Sequence, residues 1–88
     1  MQVNNITSNK GNKIPNQFII TANNGTEYFQ SYKSIIVKRT LNNTYLDEYY
    51  WEYSVTTGKY RNIFLNETKK ETLKKIKNGI YKLTNLNK

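Results

Sequence analysis

The sequence predicts an α+β domain: a small antiparallel sheet, made of a four-stranded meander plus a short C-terminal strand, with two short helices on one face. Three observations carry this. Two pairs of β-rich runs flank Asn24-Gly25 and Asn42-Asn43, dipeptides that suit hairpin turns. After Tyr53 the period-two alternation gives way to helical spacing. Thr68 and Glu71 then stand at the spacing of a capping box, ahead of a segment that closes at Gly79. A chain of 88 residues has room for one hydrophobic core and a thin stability margin.

Residues 1–16 are polar, hold the only proline and show no periodicity, so they are expected to form a flexible polar arm ahead of a single domain over 17–88. In "QFIITANNGTEYFQSY" a two-residue turn at Asn24-Gly25 places Phe18, Ile20 and Ala22 on one face and sets Ile20 opposite Phe29. In "SIIVKRTLNNTYLDEYYWEY" a turn at Asn42-Asn43 pairs Lys38 with Asp47, Ile36 with Tyr49 and Ser34 with Trp51. Opposite charges and apolar groups both find partners in that register. One face of the fourth strand then reads Tyr45, Asp47, Tyr49, Trp51, Tyr53.

Thr56 can cap a helix on which Tyr60, Ile63 and Phe64 recur at i, i+3 and i+4, and Asn66 ends it. The second helix, opened by Thr68, carries Leu73 and Ile76 on its apolar side. The tail "IYKLTNL" alternates as a last edge strand does. Tyr49, Trp51 and Tyr53 are expected beneath the helices, packed against Tyr60, Ile63, Phe64, Leu73 and Ile76. The competing use of that ladder is a platform for stacking nucleobases. Asp47, Glu48 and Glu52 lie in the same strand and would repel a phosphate backbone.

Composition excludes more than it selects. With no cysteine and no histidine, the chain lacks a disulfide, a thiolate nucleophile, the usual near-neutral acid/base and most transition-metal ligands. No phosphate-cradling glycine loop or catalytic serine motif is present. Asp47 and Glu48 are strand neighbours that point to opposite faces, so they are poorly placed to share one Mg²⁺. The expectation is a protein without catalysis and without a cofactor. No signal peptide or membrane-spanning stretch is legible, which gives a cytoplasmic expectation and no membrane partner.

Fourteen Lys+Arg against six Asp+Glu give a formal charge of +8, which favours polyanions or acidic protein surfaces as partners. An AT-rich coding genome produces the same excess of Lys, Asn, Ile and Tyr, so charge alone does not choose. The densest basic segment is the second helix, with Lys69, Lys70, Lys74, Lys75 and Lys77, and Lys59 and Arg61 extend it from the first. This is either a phosphate or acidic-partner site or simply the solvated face of an amphipathic helix. Tyr28, Tyr32 and Tyr50 are candidates for a partner surface, since tyrosine supplies contact area and a directed hydroxyl. As ordinary half-exposed strand residues they would look the same.

The segments "YFQSYKSIIV", "WEYSVTTGKYRNIFLN" and "KKIKNGIYKL" resemble a family of small proteins of unknown function encoded by bacteriophages and prophages. Its pattern runs F-x-S-Y-x-x-x-I, then W-x-Y-S-x-T-T-x-K-Y-x-x-x-F-L, then K-x-I-x-x-G-x-Y. Phe29, Ser31, Tyr32, Trp51, Tyr53, Ser54, Thr56, Thr57, Lys59, Tyr60, Phe64, Leu65, Ile76, Gly79 and Tyr81 stand at matching positions. The resemblance covers about residues 28 to 84 and leaves the polar arm outside. It brings no catalytic residues. It implies a mobile genetic element in a low-GC bacterium, and a protein that occupies a host nucleic-acid-handling complex in the bacterial cytoplasm, such as an anti-CRISPR or other counter-defence inhibitor. The alternative function is a sequence-nonspecific DNA- or RNA-binding accessory protein. Oligomeric state is open.

Overall fold

The computed structural model describes all 88 residues. Its single sheet has six strands in the order of the chain: β1 (Gln2–Thr7), β2 (Lys13–Thr21), β3 (Glu27–Ser31), β4 (Ser34–Arg39), β5 (Thr44–Asp47) and β6 (Tyr81–Thr84). The first five pair antiparallel with their neighbours, whereas β6 runs parallel to β5. A parallel neighbour needs a crossover connection. The two helices, α1 (Val55–Leu65) and α2 (Lys69–Lys77), supply it.

The α+β class, the two helices and the C-terminal edge strand are as the sequence predicts, but the sheet gains a strand at the other edge. Residues 1–16, expected as a flexible arm, form β1 and the start of β2. An edge strand needs few apolar residues, because backbone pairing orders it: Gln2 lies opposite Thr21 and Val3 opposite Ile20. Ile6, 4% exposed, anchors it in the core, and Asn5 Nδ2 donates to Ile14 O at 2.9 Å. Pro15 sits where the β1–β2 register breaks, the kind of place where a missing N–H is tolerated.

Both hairpins form, each with a loop displaced from the expected one. In β2–β3, Ala22 N donates to Thr26 O and Gly25 N to Ala22 O, so the loop is residues 23–25, with Gly25 at φ +87°. This is the three-residue loop in which a single residue takes the left-handed conformation. The register therefore slips by one, pairing Ile19 rather than Ile20 with Phe29. A slip of one turns every side chain of a strand to the other face, so Phe18 and Ile20 leave the core side. In β4–β5, Thr40 N donates to Asn43 O, and Leu41-Asn42 becomes the loop. The slip here is two, which preserves faces: Lys38 pairs with Tyr45 instead of Asp47, and Val37 with Leu46.

The fourth predicted strand ends early, at Asp47. The Asp47 carboxylate accepts from Tyr49 N at 3.1 Å and Tyr50 N at 2.8 Å, turning the chain back on itself as an aspartate-led turn does. The expected pairs of Ile36 with Tyr49 and Ser34 with Trp51 are thus absent, and Tyr49 and Tyr53 are exposed rather than buried, at 73% and 47%. Trp51 alone of that group is buried, at 6%.

The core comprises Ile6, Phe29, Ile36, Val37, Leu46, Trp51, Phe64, Leu65 and Tyr81. Phe64 of α1 stacks on Phe29 at 5.9 Å, which fixes the face of the sheet that the helices cover. Ser31 Oγ and Thr57 Oγ1, 2.9 Å apart, join the same two elements. The N-cap of α1 is Ser54 rather than Thr56, and its buried residues are Thr57, Arg61, Phe64 and Leu65. Ile63 and Leu73 are exposed. Asn66 ends α1 in the left-handed conformation, and the capping box of Thr68 and Glu71 forms. Beyond α2, Gly79 at φ +79° lets Ile80 N reach Lys75 O at 2.9 Å, the closing bond of a Schellman turn.

Candidate functional site

The five lysines expected as one patch on α2 divide into two kinds. Lys69 Nζ lies 3.2 Å from Glu52 Oε2 in an exposed pair. Lys75 Nζ lies 2.7 Å from Glu67 Oε1, whose side chain is 3% accessible. Glu67 also accepts from Tyr81 Oη at 2.8 Å and Thr72 Oγ1 at 2.6 Å. Burial pushes its carboxyl up, but the bonds from Lys75, Thr72 and Tyr81 outweigh this and hold it below its ordinary value. The same bond raises Lys75. Lys69 and Lys75 are therefore structural partners of acids. Lys70, Lys74 and Lys77 are exposed and make no ion pair, and their i, i+4, i+7 spacing puts them on one side of the helix.

Lys59 is exposed beside Tyr60. Arg61, expected to extend the patch, is instead 1% exposed. Its Nη1 donates to Trp51 O, its Nη2 to Asn62 Oδ1 at 2.9 Å, and its guanidinium carbon lies 5.2 Å from the centroid of the indole. Burial lowers its pKa, opposed by Glu52 and Glu67. A Cβ on Gly58 would stand 3.8 Å from both terminal nitrogens, an ordinary contact, so the guanidinium packs directly against this turn of the helix. The sequence did carry a signal for this: Thr57, Arg61, Phe64 and Leu65 fall at i, i+4, i+7 and i+8, one side of a helix.

The three candidate tyrosines do not share a surface. Tyr32 is exposed in the β3–β4 turn at φ 56°. Tyr50 is half-buried between Tyr49 and Tyr53, edge-to-face with both at 4.8 and 5.2 Å. Tyr28 lies on the side of the sheet away from the helices, since its neighbour Phe29 carries the helix contact. One cross-strand row runs the whole width of that face: Val3, Ile20, Tyr28, Lys38, Tyr45, Lys82, each opposite the next. Phe18 and Gln30 pair in an adjacent row. Val3 and Lys82 are exposed and the four residues between them are half-exposed. Sequence reasoning missed Lys38, Tyr45 and Lys82 because the displaced loops set their alignment.

Of the three acids that argued against an aromatic platform, Glu48 and Glu52 leave the sheet beyond the end of β5, whereas Asp47 stays on the Tyr45 side of β5 with its carboxylate fully bonded. The other strand acid, Glu27, faces the opposite way, to the helix side, and holds Arg39 at 2.8 Å. Asp47, 2% exposed, accepts from Leu86 N at 2.8 Å and Asn87 Nδ2 at 3.0 Å in addition to Tyr49 N and Tyr50 N. Burial alone would raise its carboxyl, yet these four donors keep it below its ordinary value. No group of three or more Asp or Glu side chains converges to hold a metal ion. No helix is long and apolar enough to cross a membrane.

What fold and surface define together is a small basic α+β domain with one helix carrying unpaired lysines and one sheet face left uncovered. The chain belongs to a family of unknown function, DUF8033, whose model matches residues 1–79. The match begins at residue 1, so it takes in β1 and the turn after it, which the expected resemblance left outside. No curated protein and no solved structure matches the chain.

Proposed function

We propose that this is a non-catalytic binding protein that engages nucleic acid, free or held by a host nucleic-acid-handling complex, in the cytoplasm of a bacterium whose phage or prophage encodes it. The observation that carries the reading is the set Lys70, Lys74 and Lys77, free of carboxylate partners on one side of α2 while Glu67 and Glu71 are occupied by Lys75 and by the helix cap. Charge left unpaired in this way is available to phosphates. The absence of histidine and cysteine from the chain, and the dispersal of its carboxylates, support binding over catalysis.

A second reading, a counter-defence inhibitor such as an anti-CRISPR that grips a host protein, draws on one feature. Tyr49, Tyr50 and Tyr53 form an edge-to-face cluster in which two of the three rings are exposed, and tyrosine is enriched in protein interfaces. Fluorescence anisotropy with a labelled duplex separates the two. Direct nucleic-acid binding gives an affinity that falls log-linearly with salt, by a slope of about −0.9 per phosphate neutralised, and that Lys70→Glu/Lys74→Glu/Lys77→Glu abolishes. A protein that ignores every oligonucleotide at low salt, yet is retained by one host complex after that complex has been stripped of nucleic acid, refutes the first reading in favour of the second.

A further inference from the structure

We infer that the uncovered face of the sheet is a platform for single-stranded nucleic acid, on which Tyr28 and Tyr45 each receive a base and Lys38 and Lys82 hold the intervening phosphates. The inference rests on the nucleic-acid reading above but uses a surface on the opposite side of the sheet from the helices, and the two can fail separately.

The geometry is set by register. Tyr28, Lys38, Tyr45 and Lys82 are consecutive members of one cross-strand row, so aromatic ring and ammonium alternate at the strand spacing of about 4.8 Å. The two tyrosines stand roughly 10 Å apart, across Lys38. Bases stacked in a helix lie about 3.4 Å apart along each strand, so two bases can occupy both rings only when the strand is extended and its bases are splayed. A duplex keeps its bases inside and cannot do this. A single strand can, and sheet faces that bind one use this combination of stacking rings and cations.

Charge selects the occupant. Both charged residues in the row are lysines, neither in an ion pair, with Lys38 Nζ 5.9 Å from the Tyr45 centroid. The strand carboxylate nearest them, Asp47, is saturated by four donors. A second copy packed face to face would bury four ammonium groups without an acid between them, which is costly. A polyanion with flat rings meets both requirements.

The test uses the whole chain and oligothymidylate or oligouridylate of about a dozen nucleotides, within the site sizes of such modules, with a duplex as control. Tyr28→Ser and Tyr45→Ser are expected to weaken single-strand binding roughly tenfold or more each, Tyr→Phe to restore it, and duplex binding to stay unchanged. Lys38→Gln and Lys82→Gln, which spare the rings, are expected to reduce the single-strand salt slope by about 0.7 each. Trp51 lies in the core on the helix side, so unchanged indole emission certifies the fold of every variant. Serine variants that bind single strands as the parent does, or that lose duplex binding equally, overturn the platform while leaving a role for α2. A parent that binds neither strand form overturns the platform and, with it, any grip of α2 on free nucleic acid.

Discussion

Asp47 ties the turn that follows β5 to the C-terminal tail some forty residues on, so its removal is expected to be among the costliest single changes outside the apolar core. One oxygen accepts from Tyr49 N and Tyr50 N, which start the turn leading to Trp51; the other accepts from Leu86 N and Asn87 Nδ2 in the C-terminal tail. Asn87 in turn bonds both Ile35 N, at 2.6 Å, and Ile35 O, at 2.9 Å, taking the place beside β4 that β5 has vacated. In Asp47→Ala the donors on exposed Tyr49 and Asn87 can turn to water, while those of Tyr50 and Leu86 are half-buried. Hydrogen bonds to a charged group contribute about 1.5–3 kcal/mol each, so the loss of these two is roughly 3–6 kcal/mol. That is a large part of the roughly 4–13 kcal/mol expected for a chain of this length. Urea unfolding followed by Trp51 emission measures it, and Asn87→Ala combined with Asp47→Ala should be strongly non-additive. The pH dependence has a defined sign. The folded carboxyl lies below its unfolded value of 3.8, so its contribution is complete well above pH 3.8 and is lost as pH falls through the lower folded value. An Asp47→Ala protein within about 0.5 kcal/mol of the parent, with the same acid limb, would refute the reasoning.

Two further substitutions test the interior. Arg61→Met is expected to cost about 2–4 kcal/mol, because Trp51 O loses a charge-assisted donor and the indole its cation. Affinity for nucleic acid should stay within twofold, and a large affinity loss without destabilisation would return Arg61 to the binding surface. Gln17, 1% exposed, has neither its amide nitrogen nor its oxygen bonded within the protein, so Gln17→Leu should raise the urea midpoint by an amount equivalent to about 1–2 kcal/mol. An unchanged or lower midpoint would show that the amide is satisfied.

The parts of the fold that were legible in the sequence are those that nearest neighbours decide. A Thr and a Glu three residues apart satisfy each other's backbone wherever the helix docks, and Gly79 and Asn66 end helices because few residues take a left-handed conformation cheaply. The burial of Trp51 followed from the need of a small chain for large apolar groups. What the sequence could not settle was registration. A loop of three residues instead of two moved Ile19 inward and Phe18 and Ile20 outward, and the bonds of the Asp47 carboxylate, two of them to residues 86 and 87, cut a strand short and released Tyr49 and Tyr53 to the surface. The β1 segment looked disordered because its order comes from a partner strand rather than from its own composition. Arg61 looked like a surface cation because nothing local announces that an indole and a carbonyl will meet it inside. Turn and cap chemistry is therefore written within a few residues, and it marked the two hairpins, the two helices and the last strand, though not β1 or the residues at which each loop turns. Which face each side chain occupies, and so whether Tyr28, Lys38, Tyr45 and Lys82 stand in one line, depends on backbone bonds between strands, and only the assembled sheet determines it.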